Sequence, residues 1–286
     1  MFNYKTLEDI NIDILHRTFV NAFSDYQVKI DLPLWKFQNM LQRRGFVSDI
    51  SVGAFKDGVL VGFVLNGHRN WNGISTVYDI GTGVIGEYRK QGITSNILLY
   101  VKGLLQEKGV SRYLLEVVNS NESAIQLYKK QGFEAVRDFE CFRLDKNMYK
   151  PITTCKVEHV DGFGTTDWKR LMNIWDYTPS WQNSIDSINA VPDSFIYSLA
   201  RLDNMIVGYG IIDKKTGDIA QIGVDKNYRR KGIGRSIVTD LLKNTESQKV
   251  SVLNVVKESI STKDFLLELG FEYGVGQYEM INEYIK

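Results

Sequence analysis

Residues 81–94 read GTGVIGEYRKQGIT, and residues 223–234 read GVDKNYRRKGIG. When Arg89 is aligned with Arg229, the two stretches share the pattern G-V-x-x-x-Y-R-x-x-G-I. The similarity extends upstream, where DGVLVGF resembles DNMIVGY, and downstream, where a helical pattern in each copy ends in Gly-Phe-Glu. A repeat with so long a period indicates two duplicated domains rather than a solenoid.

Each copy predicts the same order of secondary structure. In the first copy, two strands flank a Lys-Asp-Gly turn, and a third strand runs into glycines that suggest a bulge. Apolar residues at helical spacing from Ser95 to Lys108 predict a helix, and an apolar strand and a second helix with Asn121 as its N-cap follow. The fold class is therefore α/β (α+β). The polar run DKNMYKPI lies between the copies, so we predict domains at 1–146 and 147–286.

In each copy the glycine stretch joins a strand to a helix and has the properties of an anion-binding loop. The first N–H groups of a helix lack intrahelical partners and carry partial positive charge. Glycine lets the backbone approach phosphate oxygens closely, and Arg89 or Arg229 can add charge-assisted hydrogen bonds. An ordinary glycine turn would explain either loop alone, but not its recurrence in the same context. The two loops therefore predict a pyrophosphate site.

The first stretch also contains G-x-G-x-x-G, the fingerprint of dinucleotide-binding loops, at Gly81, Gly83 and Gly86. The second copy has Gln221 and Lys226 at the outer two positions, so the repeat drops this pattern. In the dinucleotide fold the glycines lead directly into the helix, and an acid follows about 20 residues later on a strand. Here EYRKQG intervenes, and the acid nearest that distance falls within the predicted helix. NAD and FAD are therefore not expected.

The composition of the 286-residue chain limits the classes of partner. Its net charge is +1, which gives no general electrostatic case for nucleic acid or an anionic membrane. Cys141 and Cys155 are the only cysteines, and the three histidines are scattered, so neither a disulfide framework nor a metal site is expected. The first residues lack a signal-peptide pattern and no apolar run would span a membrane, so we expect a cytoplasmic protein.

At these residues the chain resembles the GNAT acetyltransferase superfamily. RRKGIG, at 229–234, resembles the family's pyrophosphate-binding signature Q/R-x-x-G-x-G/A, and RKQGIT, at 89–94, departs from it at Thr94. NESAIQLYKKQGF, at 121–133, is similar to the family's N-x-x-A-x-x-L-Y-x-x-x-G-F segment. The resemblance covers nearly the whole chain. It implies two tandem GNAT-like domains, each a mixed, mostly antiparallel sheet flanked by helices.

The resemblance implies that acetyl-CoA is the acetyl donor and lies in a V-shaped opening between two parallel strands. Backbone N–H groups around Gly83 and Val84 would stabilise the oxyanion that develops as an amine attacks the thioester directly. The residues expected to bind acetyl-CoA are, in the first copy, Gly83, Val84, Arg89, Lys90, Gln91, Gly92, Ile93, Thr94, Ser95 and Asn121 and, in the second copy, Val224, Arg229, Arg230, Lys231, Gly232, Ile233, Gly234 and Arg235.

Tyr128 matches the tyrosine that often protonates the leaving thiolate in this family, and a phenol with a pKa of about 10 is a reasonable donor. It can also be an amphipathic core residue. For the general base, Asp79 lies on the strand before the loop, where period-two alternation would turn it to the same side as Gly83. Glu116, on the neighbouring strand, is the second candidate. Either acid can instead be a salt-bridge partner.

The two copies differ at the residues that matter most for this chemistry. The second copy has Leu266 where the first has Tyr128, whereas the first has Thr94 where the second has Gly234. The backbone N–H of Thr94 remains available to phosphate, although its branched Cβ adds bulk. We therefore expect the first domain to carry the chemistry. The second would bind CoA without turnover, complete the substrate cleft or be a structural relic.

The expected acceptor is a primary amine of a small molecule or a peptide. Segments 21–45 and 175–183 are rich in aromatic residues, which either line an acceptor pocket or pack in the core. Two other classes of protein remain open: a non-catalytic CoA-binding or sensing protein, and a scaffold that binds no nucleotide. The oligomeric state also remains open, since tandem domains can mimic a dimer within one chain.

Overall fold

The computed structural model describes residues 1–25 and 31–284. The chain divides into two compact units, one formed by Met1–Val136 together with Tyr278–Lys286 and the other by Arg137–Gln277. We call them the N-terminal unit and the C-terminal unit. No helix among the described residues is long and apolar enough to cross a membrane.

From its second strand to its fourth helix, the N-terminal unit has the order of elements predicted for the first copy, and one strand and two helices precede them. Its strands and helices are β1 (Phe2–Thr6), α1 (Ile12–Ala22), α2 (Leu34–Arg43), β2 (Val52–Lys56), β3 (Val59–Trp71), β4 (Ile74–Val84), α3 (Ile93–Glu107), β5 (Arg112–Val118) and α4 (Glu122–Lys130). The apolar residues that predict α3 form its buried side. Asn121 caps α4 as predicted, since its side chain accepts a hydrogen bond from the N–H of Ala124.

The sheet of the N-terminal unit is mixed and mostly antiparallel. Its order is β1, β2, β3, β4 and β5, and only β4 and β5 run parallel. Helix α1 covers one face, where the ring of Phe19 stacks on that of Phe63 with centroids 5.4 Å apart. Helix α3 covers the other face, where Ile93 and Ile97 share a core with Val61 and Val84. This arrangement confirms the fold class expected from the sequence.

The C-terminal unit contains a four-stranded antiparallel sheet of order β10 (Ile219–Val224), β9 (Met205–Asp213), β8 (Phe195–Leu202) and β7 (Glu158–Val160). The remaining elements of the chain are β6 (Glu134–Asp145), α5 (Thr165–Met172), α6 (Ile185–Asn189), α7 (Ile233–Asn244), β11 (Lys249–Val256), α8 (Ile260–Glu268) and β12 (Glu272–Glu283). Strand β11 pairs antiparallel with β6.

The boundaries of the two units differ from the division at residue 146 that was expected from the sequence. Most of β6, which precedes the predicted boundary at residue 146, lies in the C-terminal unit, because its partner is β11. The last part of β12 lies in the N-terminal unit, beside β5. There the N–H of Tyr284 donates to the carbonyl of Ser111 at 2.8 Å. Met280 is fully buried in the core of the N-terminal unit. Each unit therefore takes its final strand from the other copy of the repeat.

Candidate active site

A cleft in the N-terminal unit opens where two parallel strands part. Strand β4 pairs with β5 from Thr76 to Tyr78 and then continues to Val84 paired with β3. The cleft has a volume of about 380 Å³. Of the residues expected to bind acetyl-CoA, those that line it are Gly83, Val84, Arg89, Lys90, Gly92, Ile93, Thr94, Ser95 and Asn121, and Tyr128 lines it as well. The site residues predicted from the sequence did not include five other described residues that line it, namely Thr82, Tyr88, Ser123, Ala124 and Leu127.

The loop from β4 to α3 presents its backbone to this cleft. Lys90 and Gly92 both have positive φ angles, of 60° and 75°, so the chain turns tightly before the helix. No side chain caps the start of α3, which leaves the first N–H groups of the helix without intrahelical partners. A Cβ atom built on Gly92 would meet nothing within 4 Å. The loop thus has the open concave shape that an anion requires.

Arg89 holds this loop in place. Its guanidinium donates to the carbonyls of Val84 at 3.0 Å and Ala22 at 2.7 Å, and to both carboxylate oxygens of Asp25 at 2.6 and 2.7 Å. The hydrogen bonds from Arg89 lower the pKa of Asp25. In this conformation the donors of Arg89 serve protein acceptors, so its contribution to an anion site is the shape of the loop. The sequence carried no signal that identified Asp25 as its partner.

Three polar side chains meet beneath the cleft. Asp79 is only 7% exposed, and its Oδ2 accepts hydrogen bonds from the hydroxyls of Thr82 at 2.6 Å and Tyr128 at 3.4 Å. Burial raises the pKa of the Asp79 carboxyl to about 6, against the opposing effect of these two hydrogen bonds and of the backbone N–H of Gly81. Tyr128 therefore joins the cleft to a buried acid of unusually high pKa.

The orientation of Asp79 differs from the one predicted by strand alternation. A register shift opposite Leu65 and Asn66 places a bulge in β4 between Asp79 and Gly81, where the glycines suggested one. The extra residue reverses the alternation, so Asp79 shares a face with Thr82. A Cβ on Gly83 would instead meet Phe63 and α1, on the opposite face. The prediction that Asp79 faces the same side as Gly83 is therefore wrong.

Two other predicted residues lie away from the cleft lining. Glu116, the second candidate base, accepts a hydrogen bond from Tyr78, and burial together with Glu116 raises the pKa of Tyr78 well above its usual value. The side chain of Gln91 donates to the carbonyl of Glu87 at 3.5 Å and does not line the cleft.

The aromatic residues expected near an acceptor fall into different environments. Phe37 is fully buried and belongs to the core, whereas Trp35 is 46% exposed. Phe23 packs on Phe19 with ring centroids 4.7 Å apart. Tyr26 lies outside the described residues.

The C-terminal unit has a larger cleft, of about 540 Å³, at the equivalent place. Arg229 again holds the loop, since it donates to the carbonyl of Val224 at 2.9 Å and to Asp176 at 2.9 Å. Of the predicted residues, Val224, Arg229, Arg230, Gly232, Ile233, Gly234 and Arg235 line this cleft. Lys231 does not, and its ammonium lies 5.3 Å from the ring centre of Tyr228.

Carboxylates form ion pairs with the cations of the C-terminal cleft. Glu268 lies 3.8 Å from Arg230 and 3.3 Å from Arg235, and Asp176 accepts hydrogen bonds from Arg229, Ser261 and Thr262. In the N-terminal cleft Arg89 is likewise paired with a carboxylate, that of Asp25, but Lys90 lines the cleft as well and no carboxylate is among the lining residues in the described part of the chain. The larger cleft is therefore the less favourable one for a polyanion.

Protein side chains also fill the space in front of the C-terminal glycines. A Cβ on Gly232 would overlap the side chain of Thr154, and a Cβ on Gly234 would lie 2.9 Å from the ring of Phe265. Leu266, the counterpart of Tyr128, is fully buried. These glycines make room for Thr154 and Phe265, which the sequence did not reveal.

The contrast between the two loops can be measured as stability. Gly92→Ala and Gly232→Ala each place an L-residue at positive φ, which costs roughly 1–2 kcal/mol at either site. Gly232→Ala must also displace Thr154, so we expect it to lose about 1–3 kcal/mol more in denaturant unfolding. Adding Thr154→Ala should recover part of that difference. Equal losses in the two single variants would contradict the crowding at Gly232.

Both copies of the repeat match known protein families. Residues 12–133 match the family described as "Acetyltransferase (GNAT) family", and residues 180–280 match "Acetyltransferase (GNAT) domain". Streptothricin acetyltransferase of Streptomyces lavendulae is 34% identical over 84 residues, which are 29% of this chain and 42% of that protein. The alignment thus spans less than half the length of this relative.

Two solved structures show the same fold over nearly the whole chain. A tandem GNAT protein from the clavulanic acid biosynthesis pathway has a TM-score of 0.76 and 13% identity, and the match covers 100% of this chain and 99% of that one. A GCN5-related N-acetyltransferase from Sphaerobacter thermophilus has a TM-score of 0.71 and 15% identity, with 99% and 95% covered. Likeness at such low identity is a likeness of fold.

Proposed function

The chain belongs to the GNAT acetyltransferase family, and from this premise we propose that its N-terminal unit transfers the acetyl group of acetyl-CoA to a primary amine of a small molecule or a peptide. The observation that carries the proposal is one cleft in which the glycine loop, the parting strands and the hydroxyl of Tyr128 come together. Family membership supports acetyl transfer, and the choice of unit and of residues rests on the geometry.

The N-terminal loop fits a pyrophosphate by shape and by charge. The uncapped start of α3 offers backbone N–H groups, and the open space at Gly92 lets phosphate oxygens approach them. Lys90 lines the cleft and adds a positive charge. Thr94 and Ser95 lie in the first turn of α3 and line the same cleft, so their hydroxyls are further potential donors.

The C-terminal loop remains a predicted second site, but the geometry favours it less. Its arginines face Glu268 and Asp176, and Phe265 packs against Gly234. A polyanion entering this cleft would have to displace or neutralise these carboxylates. We therefore propose that the chain binds one molecule of acetyl-CoA, in the N-terminal unit.

The chain's own residues have separate roles in the proposed reaction. Bound acetyl-CoA supplies the acetyl group as a thioester. The N–H of Ile85 donates to the carbonyl of Val61, so strand alternation turns the N–H of Val84 toward the opening, where it can stabilise a developing oxyanion. Tyr128 lines the cleft, and in this proposal its hydroxyl gives its proton to the leaving sulfur.

A titration and an acceptor screen test the proposal together. Calorimetric titration with acetyl-CoA should give one site per chain, and release of CoA should follow addition of an amine. Streptothricin is the first acceptor to try because a relative is named for it, followed by polyamines, amino acids and peptide N-termini. If acetyl-CoA does not bind, the scaffold interpretation replaces this one. If it binds without CoA release for any acceptor, the sensing interpretation does.

A further inference from the structure

Asp79 lies beneath Tyr128 and is not among the residues that line the N-terminal cleft. We propose that Asp79 is a positioning residue for Tyr128: its protonated form donates a hydrogen bond to the phenol oxygen, turns the phenol O–H toward the cleft and replaces the proton that Tyr128 gives up. This inference rests on the proposed function and gives Asp79 a role other than that of the general base.

The geometry around the carboxyl group supports a protonated Asp79. Thr82 and Tyr128 both approach Oδ2, whereas the buried Oδ1 has no hydrogen-bond partner among the described residues. A buried carboxylate oxygen without a partner disfavours the charged form of the group. If Asp79 were charged, Tyr128 would donate to it, and the phenol proton would point away from the cleft.

Burial has a larger effect on the pKa of Asp79 than any of the titratable groups that face it. Arg44, which follows α2, acts to lower the pKa of Asp79, but its effect is smaller than that of burial. From β5, Tyr113 faces the group, and its hydroxyl donates to Asn66 at 2.7 Å. On α4, Tyr128 is the residue that contacts Asp79. Tyr78, which precedes Asp79 on β4, forms a hydrogen bond with Glu116 instead.

Burial also argues against direct removal of a proton from the acceptor amine. With 7% of its surface exposed, Asp79 is too enclosed for an ammonium group to reach it. The bulge turns it to the face of Thr82 and Tyr128. Asp79 therefore reaches the cleft only through the hydroxyls of Thr82 and Tyr128, and of these two the phenol is the acidic one that can give a proton to sulfur.

The proposed proton transfers balance. As the C–N bond of the new amide forms and the C–S bond breaks, the electron pair leaves on sulfur. The O–H of Tyr128 gives its proton to that sulfur, and the carboxyl proton of Asp79 passes to the phenol oxygen. The acceptor nitrogen releases one proton to solvent, and solvent returns one to Asp79.

The pH dependence of kcat distinguishes this role from that of a base. If the protonated form of Asp79 is the active one, kcat falls as pH rises through the midpoint of the Asp79 titration. The variant Asp79→Asn should not show this fall in kcat, and its kcat at low pH should be about tenfold lower than that of wild type. Asp213→Asn, which changes an equally buried acid of the C-terminal unit, should keep the fall. The proposal would be overturned if kcat instead rose with pH through this midpoint and Asp79→Asn abolished the rise, because Asp79 would then act as a base.

A second measurement needs neither acetyl-CoA nor turnover. Carbon NMR of protein labelled at aspartate carboxyl carbons should show one signal, absent in Asp79→Asn, with a midpoint near pH 6. Thr82→Val removes a donor that stabilises the charged form and should move this midpoint upward. A midpoint near 4, the ordinary value for aspartate, would overturn the inference. Absence of acetyl transfer would instead overturn the proposed function, and the NMR result would show whether the coupling still exists.

Discussion

Gly92→Glu is expected to abolish acetyl-CoA binding. The new side chain would project into space that is open at present, because a Cβ at this position meets nothing within 4 Å. Its carboxylate would then lie where the pyrophosphate is proposed to sit. Two unit charges about 4 Å apart near a protein surface repel by about 4 kcal/mol, and screening by salt reduces this, so we expect a loss of affinity of at least about 100-fold.

Two control variants separate repulsion from other effects of this change. Gly92→Ala introduces the strain of an L-residue at positive φ without the charge, and should weaken binding only slightly. Gly86→Glu adds the same charge to the same loop at an exposed position outside the cleft lining, where a Cβ also meets nothing. Calorimetric titration of wild type and the three variants measures the difference.

The Gly92→Glu result also decides between the two units. Wild-type affinity in this variant would mean that acetyl-CoA binds in the C-terminal cleft, and the proposed catalytic assignment would fail with it. Loss of one of two sites would mean that both loops bind, as the sequence alone allows. Only complete loss agrees with a single site in the N-terminal unit.

Tyr128→Phe is expected to lower kcat by about 100-fold or more, with little change in acetyl-CoA affinity. The variant keeps the aromatic ring, which packs edge-on against Phe133 with centroids 5.7 Å apart, and loses only the hydroxyl. Steady-state kinetics measure kcat, and calorimetry measures affinity. In the double variant Tyr128→Phe/Asp79→Asn we expect no further loss, because both residues serve the same proton transfer.

Tyr113→Phe is the matched control for this change. It removes another buried tyrosine hydroxyl from the same core, one that donates to Asn66 at 2.7 Å and does not line the cleft. Its loss should cost roughly 1–3 kcal/mol of stability and leave kcat unchanged. Equal values of kcat for wild type and Tyr128→Phe would exclude Tyr128 as the acid.

The sequence predicted the parts of this fold that depend on local pattern. Alternation and helical spacing located the strands and helices from β2 to α4 in the first copy and their counterparts in the second, and Asn121 was recognised as an N-cap because capping depends on one side chain and its nearest backbone. Strand pairing is a longer-range property. Since β6 and the end of β12 occupy the same place in the repeat, no local feature showed that they exchange partners.

The site was predictable to a smaller extent, for two physical reasons. A single extra residue in a strand reverses the direction of every side chain beyond it, so the bulge after Asp79 invalidated the alternation argument. A glycine in the sequence also does not indicate whether the space beside it is open or is filled by another side chain. Gly234 completes the phosphate-binding signature, yet the space beside it holds the ring of Phe265, a residue far away in the sequence.

The exchange of final strands has a consequence for biosynthesis. A ribosome completes the segment Arg137–Gln277, which is continuous in the chain, before it reaches the strand that lies beside β5. The nascent N-terminal unit must wait, with the edge of β5 and the pocket for Met280 uncovered, until translation has passed Tyr284. Domains usually fold in the order of their synthesis. Here the part of the protein that is made first is the last to be finished, and until then its exposed strand edge can pair with another chain.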